Sequence, residues 1–359
     1  MKVLLVLGTS TGGVVRHVDG LAAGLLARGD EVVVTGPPAT LTELRAAGFT
    51  RVPLAVRDRP DPRDDPRSVL RIRRLSHGAD VVHAHGIRAG ALAALALART
   101  PTPLVVTLHN APPRGVVKAA VHALLERLVA GRADVVLGVS PDLVAGIRGV
   151  GMQGSELAVV PAPPPPAHLR DRAAVMASLD LPARLRMVVS VGRLAAQKNF
   201  DLLLDASTAL PTGAVVVIVG DVPLGEHLVR RAAARFPRVR LVGRRDDVPE
   251  ILAAADVVVS SADWEGQPLW LQEALQVGAA IVATDVGGTA AILGGAGLLV
   301  PARDAEALAA GIRTVLEDPE ERSRLRRLAR QRATRLPTQT DAVDAATSIY
   351  RDATRRRGR

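Results

Sequence analysis

The chain has 359 residues, 48% hydrophobic but only 2% aromatic, so it can hold two ordinary domains whose cores are built from Val, Leu, Ile and Ala. The absence of cysteine excludes disulfides and thiolate catalysis and makes a cytoplasmic setting the expectation; no apolar run is long enough to predict a membrane span. The formal charge of +10 comes almost wholly from arginine, since Lys2, Lys118 and Lys198 are the only lysines; with so few aromatics and no zinc-finger or basic-region pattern, no nucleic-acid partner is expected.

Taken in order, Lys2 to Leu7 is an apolar run without a charged leader or cleavage site, so it is predicted as a first strand and not a signal peptide. Gly8 to Gly13 is a loop into a helix that reaches about Arg28. Its glycines are not spaced as G-x-G-x-x-G. After the next strand, Glu31 to Thr35, Gly36-Pro37-Pro38 stands where a dinucleotide enzyme would place an acid for the ribose, so a dehydrogenase is disfavoured. Residues 57–67 are polar and proline-rich and predict a surface loop; Ser68 to Ser76 predicts a basic helix. The run Ala-Asp-Val-Val occurs at 79–82, 133–136 and 255–258, each time where a helical pattern gives way to a strand. One helix-to-strand junction reused in a βαβ sheet accounts for it.

His83 and His85 alternate at a strand end and so share one face. No third ligand is spaced near them, and no metal is expected. Val105 to Asn110 is a strand whose C-terminal end carries His109, at the edge where open α/β sheets bind ligands; a satisfied core histidine is the alternative. Val116 to Val129 has helical apolar spacing and fits a core-facing amphipathic helix. Pro161 to Pro166 is a stiff, extended connector between domains.

Strands are predicted again at Met187–Val191, Ala214–Val219, Arg240–Val242, Val257–Ser260, Ala280–Ala283 and Gly297–Val300, with a glycine turn at 219–224. The first of these runs into Gly192-Arg193 and then Lys198-Asn199, which places two cations at a strand's C-terminal edge. Arginine offers a fork to a diphosphate and lysine a point charge. Between Asp263 and Thr289, Glu265 and Glu273 stand eight positions apart. Gly266 allows close backbone approach and Pro268 suits the first position of a helix, whose unpaired N–H groups would face an anion. A carboxylate accepts two hydrogen bonds and donates none, so each glutamate can clamp a pair of sugar hydroxyls. The alternative is an amphipathic helix with two solvated glutamates. A terminal helix is predicted from Asp341 to about Ala353, followed by a solvated Arg-rich tail at 355–359.

With these two motifs followed by a third, Asp285-Val286-Gly287-Gly288-Thr289 at the end of the strand from Ala280, the chain resembles the retaining glycosyltransferases of family 4 over nearly its whole length. That resemblance implies an α/β GT-B fold: two Rossmann-like domains facing across a cleft, with a C-terminal helix crossing back to the N-domain. Residues 1–165 would form the acceptor side, 166–337 the donor-binding domain, and 338–359 the returning helix with its basic tail. The co-substrate implied is a nucleoside diphosphate sugar, with no other cofactor. Its contacts would be Gly12, Gly13, Arg193, Lys198, Arg244, Val248, Glu265, Gly266, Gln267, Pro268, Leu269 and Glu273. For Gly12 and Gly13, a plain strand-to-helix turn is the alternative. His109, Glu265, Arg193 and Lys198 would form the catalytic set, His109 facing the transferred sugar and the cations stabilising the departing diphosphate. No D-x-D is present, so catalysis without a metal is expected. The Asn-Gly turn that family members carry after the first connector proline is missing. The acceptor would be a small molecule, lipid or glycan, and peripheral contact with an anionic membrane is compatible with the basic helices. Two other functions remain open at this point: a nucleotide-sugar epimerase of the same fold, and a non-catalytic sugar- or lipid-binding scaffold.

Overall fold

The computed structural model describes residues 1–113, 115–221, 226–235 and 237–357, so the predicted turn at 222–224 and the tail residues 358–359 lie outside the described part. The chain separates into two compact units: Met1–Pro161 together with the stretch from Pro337, and Ala162–Leu336.

The first unit holds a wholly parallel sheet of seven strands: β1 (Lys2–Leu7), β2 (Glu31–Gly36), β3 (Thr50–Pro53), β4 (Val81–His85), β5 (Leu104–Leu108), β6 (Val135–Gly138) and β7 (Ser155–Leu157). Their order is β3-β2-β1-β4-β5-β6-β7. The second unit's parallel sheet has six: β8 (Arg186–Val191), β9 (Ala214–Val219), β10 (Val239–Leu241), β11 (Val257–Ser260), β12 (Ile281–Thr284) and β13 (Leu298–Val300), ordered β10-β9-β8-β11-β12-β13. In both sheets the order reverses beside the first strand, between β1 and β4 and between β8 and β11. Helices cover both faces, which is why β1, β5 and β9 read as continuous apolar runs and not as alternating ones. Two apolar clusters, one on each side of β8–β13, form the second core.

The repeated Ala-Asp-Val-Val has one structural cause. The carboxylates of Asp80, Asp134 and Asp256 accept the backbone N–H of Lys2, Leu104 and Met187 at 2.7, 2.9 and 2.7 Å. The backbone N–H of the same three aspartates donates to the carbonyl oxygens of those same residues. Each aspartate thus clasps the first or second residue of the neighbouring strand at both polar groups and fixes parallel register at the start of the ladder.

The terminal helix, Gln339–Arg357, packs on Gly13–Ala27. Gly24 permits this approach, since a Cβ there would stand 2.3 Å from Val343 Cγ2. Two expectations need correction. Residues 64–67 are the first turn of a helix, Asp64–Leu75, because Asp64 and Asp65 favour a helix N-terminus; the predicted loop ends earlier. Arg355 to Arg357 stay exposed to solvent but continue the terminal helix in place of a tail, with Arg357 Nε donating to Asp134 Oδ1 at 2.6 Å. The short edge strands β3 and β7 were not foreseen. Among the described residues no helix is long and apolar enough to cross a membrane.

Asp256 also receives Arg172 Nη2 at 2.8 Å. Replacing it with alanine is expected to destabilise the second unit by about 1–3 kcal/mol, and Asp256→Asn, which keeps an acceptor, by less. Both tryptophans, Trp264 and Trp270, belong to that unit, so urea unfolding followed by their fluorescence measures the difference.

Candidate functional site

In the second unit, the predicted residues gather at the C-terminal edge of β8 and β11, where the strand order reverses and open α/β sheets bind ligands. Two segments meet there. The first follows β8, a short 3-10 turn (Ala196–Lys198) ending at Asn199, whose φ of 44° is left-handed. The second runs from Ser261 to Pro268 and leads into the helix Leu269–Gln276. They are stitched along their length. Asp263 N–H donates to the Gln197 carbonyl at 2.8 Å, and Ser261 Oγ to that of Lys198 at 3.0 Å. Gln197 Nε2 donates to the Trp264 carbonyl at 2.8 Å and Asn199 Nδ2 to Asp263 Oδ1 at 2.9 Å. The seam ends in an ion pair, Lys198 Nζ donating to Glu265 Oε1 at 2.5 Å.

Glycines make this seam possible. A Cβ on Gly220 would lie 1.9 Å from the Gly192 carbonyl oxygen, and one on Gly287 would lie 2.0 Å from that of Glu265. Only bare backbone fits at either place. Gly288 N–H then donates to the Glu265 carbonyl at 2.8 Å, so the second glycine pair holds the carboxylate's own backbone.

Glu265 and Glu273 are 4% and 5% exposed, which rules out two solvated glutamates on an amphipathic helix. Pro268 is the residue before the first helical turn, one position earlier than predicted, and no side chain caps that turn. Arg193 is exposed at the end of β8. Arg244 and Val248 follow β10 on the same edge, two strands from β8; Val248 packs partly against the core, while Arg244 is exposed. Sequence reasoning missed Gln197, Asn199, Ser261 and Asp263, whose positioning bonds are visible only once the two segments are adjacent.

In the first unit, the loops after β1 and β4 open onto a cavity of about 700 Å³. Its lining includes Ser10, His109, Arg59, Lys118, Val117 and Val121. Gly12, with φ of 62°, precedes the helix that begins at Gly13. The helix Val116–Ala130 buries only Leu125 and Val129, leaving Val116 89% and Val117 77% exposed, so the core-facing alternative accounts for just one side of it. His109 belongs to a group of four: His85 Nδ1 lies 3.1 Å from His109 Nε2, and His17 and His83 pack against them. His83 is bonded on both nitrogens, to Tyr350 Oη at 2.6 Å and Thr107 Oγ1 at 2.7 Å. Burial lowers His17 to about 4 and, with the nearby His17, His83 to about 3; burial and neighbouring histidines also hold His85 and His109 well below the ordinary range. Among the described residues, no group of three or more His, Asp or Glu is placed to hold a metal ion.

Residues 12–163 match the family described as "Glycosyl transferase 4-like domain", and 171–332 that described as "Glycosyl transferases group 1". A glycogen synthase of Mycobacterium tuberculosis is 30% identical, covering 90% of this chain and 87% of its own. The chain belongs to these glycosyltransferases. TuaC of Bacillus subtilis, named for teichuronic acid biosynthesis, is 30% identical over 65% of this glycosyltransferase, and LpsE of Rhizobium meliloti, named for lipopolysaccharide core biosynthesis, is 34% identical over 42%. The match spans 60% and 45% of those two relatives. The structure of Anabaena HepE, solved with UDP and glucose, superposes with a TM-score of 0.85 at 20% identity, covering 98% of this chain and all of that one. This likeness establishes the GT-B type of fold, two Rossmann-like domains each built on a parallel sheet.

The histidine group ties stability to pH. The folded-state pKa values of His17 and His83 lie below the unfolded value of 6.5, so the unfolded chain binds protons first as pH falls. Their contribution is complete above pH 6.5 and is lost progressively down to about pH 4 for His17 and about pH 3 for His83. His17→Leu is expected to shrink the loss of stability between pH 7.5 and 5 by roughly 2 kcal/mol. Hydrogen exchange at β4 and β5 in urea reads this; an equal loss in both proteins would contradict it.

Proposed function

We propose that this glycosyltransferase moves a hexosyl group from a nucleoside diphosphate sugar to a hydroxyl of a lipid, cyclitol or glycan, with retention of configuration and without a metal ion. The observation that carries the reading is the part-buried Lys198–Glu265 pair at the reversal point of the second sheet. It puts a cation for the diphosphate and an acceptor of hydroxyl hydrogens within one side chain's reach of each other. The names of the relatives and the UDP and glucose bound by HepE support a nucleotide-sugar donor and make UDP the first nucleotide to test.

On this reading Arg193, Lys198 and the backbone N–H groups of Gly266 and Leu269 at the helix mouth stabilise the leaving diphosphate as preorganised charge. Glu265 holds hydroxyls of the sugar and Glu273 those of the ribose. Gln267 and Pro268 shape the mouth, Arg244 and Val248 border the base through their backbone, and Gly12 and Gly13 approach the phosphates. The bond from the anomeric carbon to the diphosphate oxygen breaks, and the acceptor oxygen bonds that carbon on the same face. Its proton passes to the departing phosphate. His109 meets the sugar, and the cavity of the first unit receives the acceptor. A cytoplasmic location, with the exposed valines of Val116–Ala130 touching an anionic membrane, belongs to the same proposal.

Calorimetry with UDP, GDP and ADP, followed by transfer assays with the matching sugars, tests it. Lys198→Ala is expected to weaken nucleoside diphosphate binding about tenfold or more and to lower kcat/KM by about a hundredfold to a thousandfold. Proton NMR should find the donor's anomeric configuration in the product. Unchanged affinity and turnover in Lys198→Ala would remove the reading.

A further inference from the structure

His83 and His85 share one face of β4, and the reading of His109 as the sugar-facing residue leaves both unused. His85 is almost wholly buried, and its ring stacks on His109 with centroids 5.4 Å apart and planes 27° from parallel. Parallel register places His85 opposite Thr107, and His109 is two residues further along the same chain. His83 lies against the other side of His85, centroids 4.2 Å apart, and His17 closes the group at 5.7 Å from His85 and 5.9 Å from His109. His109 is therefore held in a wall of imidazoles, and its polar tie to that wall is His85 Nδ1 against its own Nε2.

The two nitrogens of His85 differ. Nδ1 meets His109, while Nε2 is buried with no hydrogen-bond partner. A proton on Nε2 would be a buried N–H without an acceptor, which costs more than a bare ring nitrogen without a donor. The proton of neutral His85 accordingly sits on Nδ1 and is donated to His109 Nε2. His109, also kept neutral by burial first and by its histidine neighbours second, must then carry its proton on Nδ1. The second nitrogen of an imidazole sets what the first can do.

We propose that His85 is a positioning residue: it fixes the ring plane and tautomer of His109, so that His109 offers an Nδ1–H donor to an oxygen of the transferred sugar. This rests on the role given to His109 above. His83 holds His85 from behind, and its own bonds to Tyr350 and Thr107 keep it from turning.

The experiment compares His85→Leu, His85→Asn, His109→Ala and the double variant His85→Leu/His109→Ala in full-length protein. Steady-state transfer is measured with the donor identified by calorimetry, beside ¹⁵N spectra of the imidazoles. His85→Leu is expected to lower kcat about tenfold to a hundredfold with the donor KM little changed, as a misplaced group does. His85→Asn, which keeps a polar atom at the δ position, should recover a large part of the loss. The double variant should be no slower than His109→Ala alone, because His85 acts only through His109. The spectra should place the His109 proton on Nδ1 in the native protein and show a mixture of the two neutral tautomers in His85→Leu. A slow His109→Ala with a neutral His85→Leu, or equal losses from His85→Leu with and without His109, would overturn the proposal. So would a native His109 protonated at Nε2, whatever the rates. Native turnover in His109→Ala would instead remove the role of His109, and the proposal with it.

Discussion

An ammonium and a carboxylate taken largely out of water hold together only if their geometry is imposed from outside, and Lys198 and Glu265 meet that condition. Glu265 lies on no regular element, and Lys198 closes a single 3-10 turn. Each sits on a loop anchored by the end of a parallel strand, and β8 and β11 are neighbours only because the sheet reverses its order between them. Removing Lys198 leaves the Glu265 charge buried, which typically costs about 3–5 kcal/mol. The surrounding bonds from Gln197, Asn199, Ser261 and Asp263, and the bare backbone of Gly220 and Gly287, keep the pair in place.

The two units solve the same problem with the same parts. Each has a parallel sheet whose order reverses beside its first strand, and in each the candidate chemistry gathers at the C-terminal strand ends at or next to that reversal. The first unit gathers imidazoles around His109, and the second gathers an ion pair and a helix mouth. The aspartate clasp works at the opposite ends of the strands, at Asp80, Asp134 and Asp256, where it secures register away from the loops. Stability and chemistry are thus assigned to opposite edges, so the loops can vary without loosening the sheets.

Much of this was legible in the sequence because the strands are buried on both faces. Val188–Val189, Val215 to Val219 and Val257 to Val259 leave no reading except parallel strands under helices. Arg193, Lys198, Glu265 and Glu273 stood out for their positions after such strands. What was hidden depends on contacts between distant segments. Gln197 and Asp263 look like ordinary loop residues until their loops are side by side. His17 follows an unremarkable glycine turn, and only the β1–β4 neighbourhood brings it to His85. Edge strands β3 and β7, short and mostly exposed, lack the apolar run that identified the rest. The helix start at Asp64 was masked by the prolines around it, although its two acids are what a helix N-terminus favours.

A crystal structure of the chain with a bound nucleoside diphosphate sugar shows whether the Lys198–Glu265 seam is a nucleotide-sugar site. Diphosphate oxygens are expected within hydrogen-bonding distance of Lys198 and of the backbone N–H groups of Gly266 and Leu269, with sugar hydroxyls on Glu265. A nucleotide seated away from the β8–β11 edge, with the Lys198–Glu265 pair untouched, would contradict it.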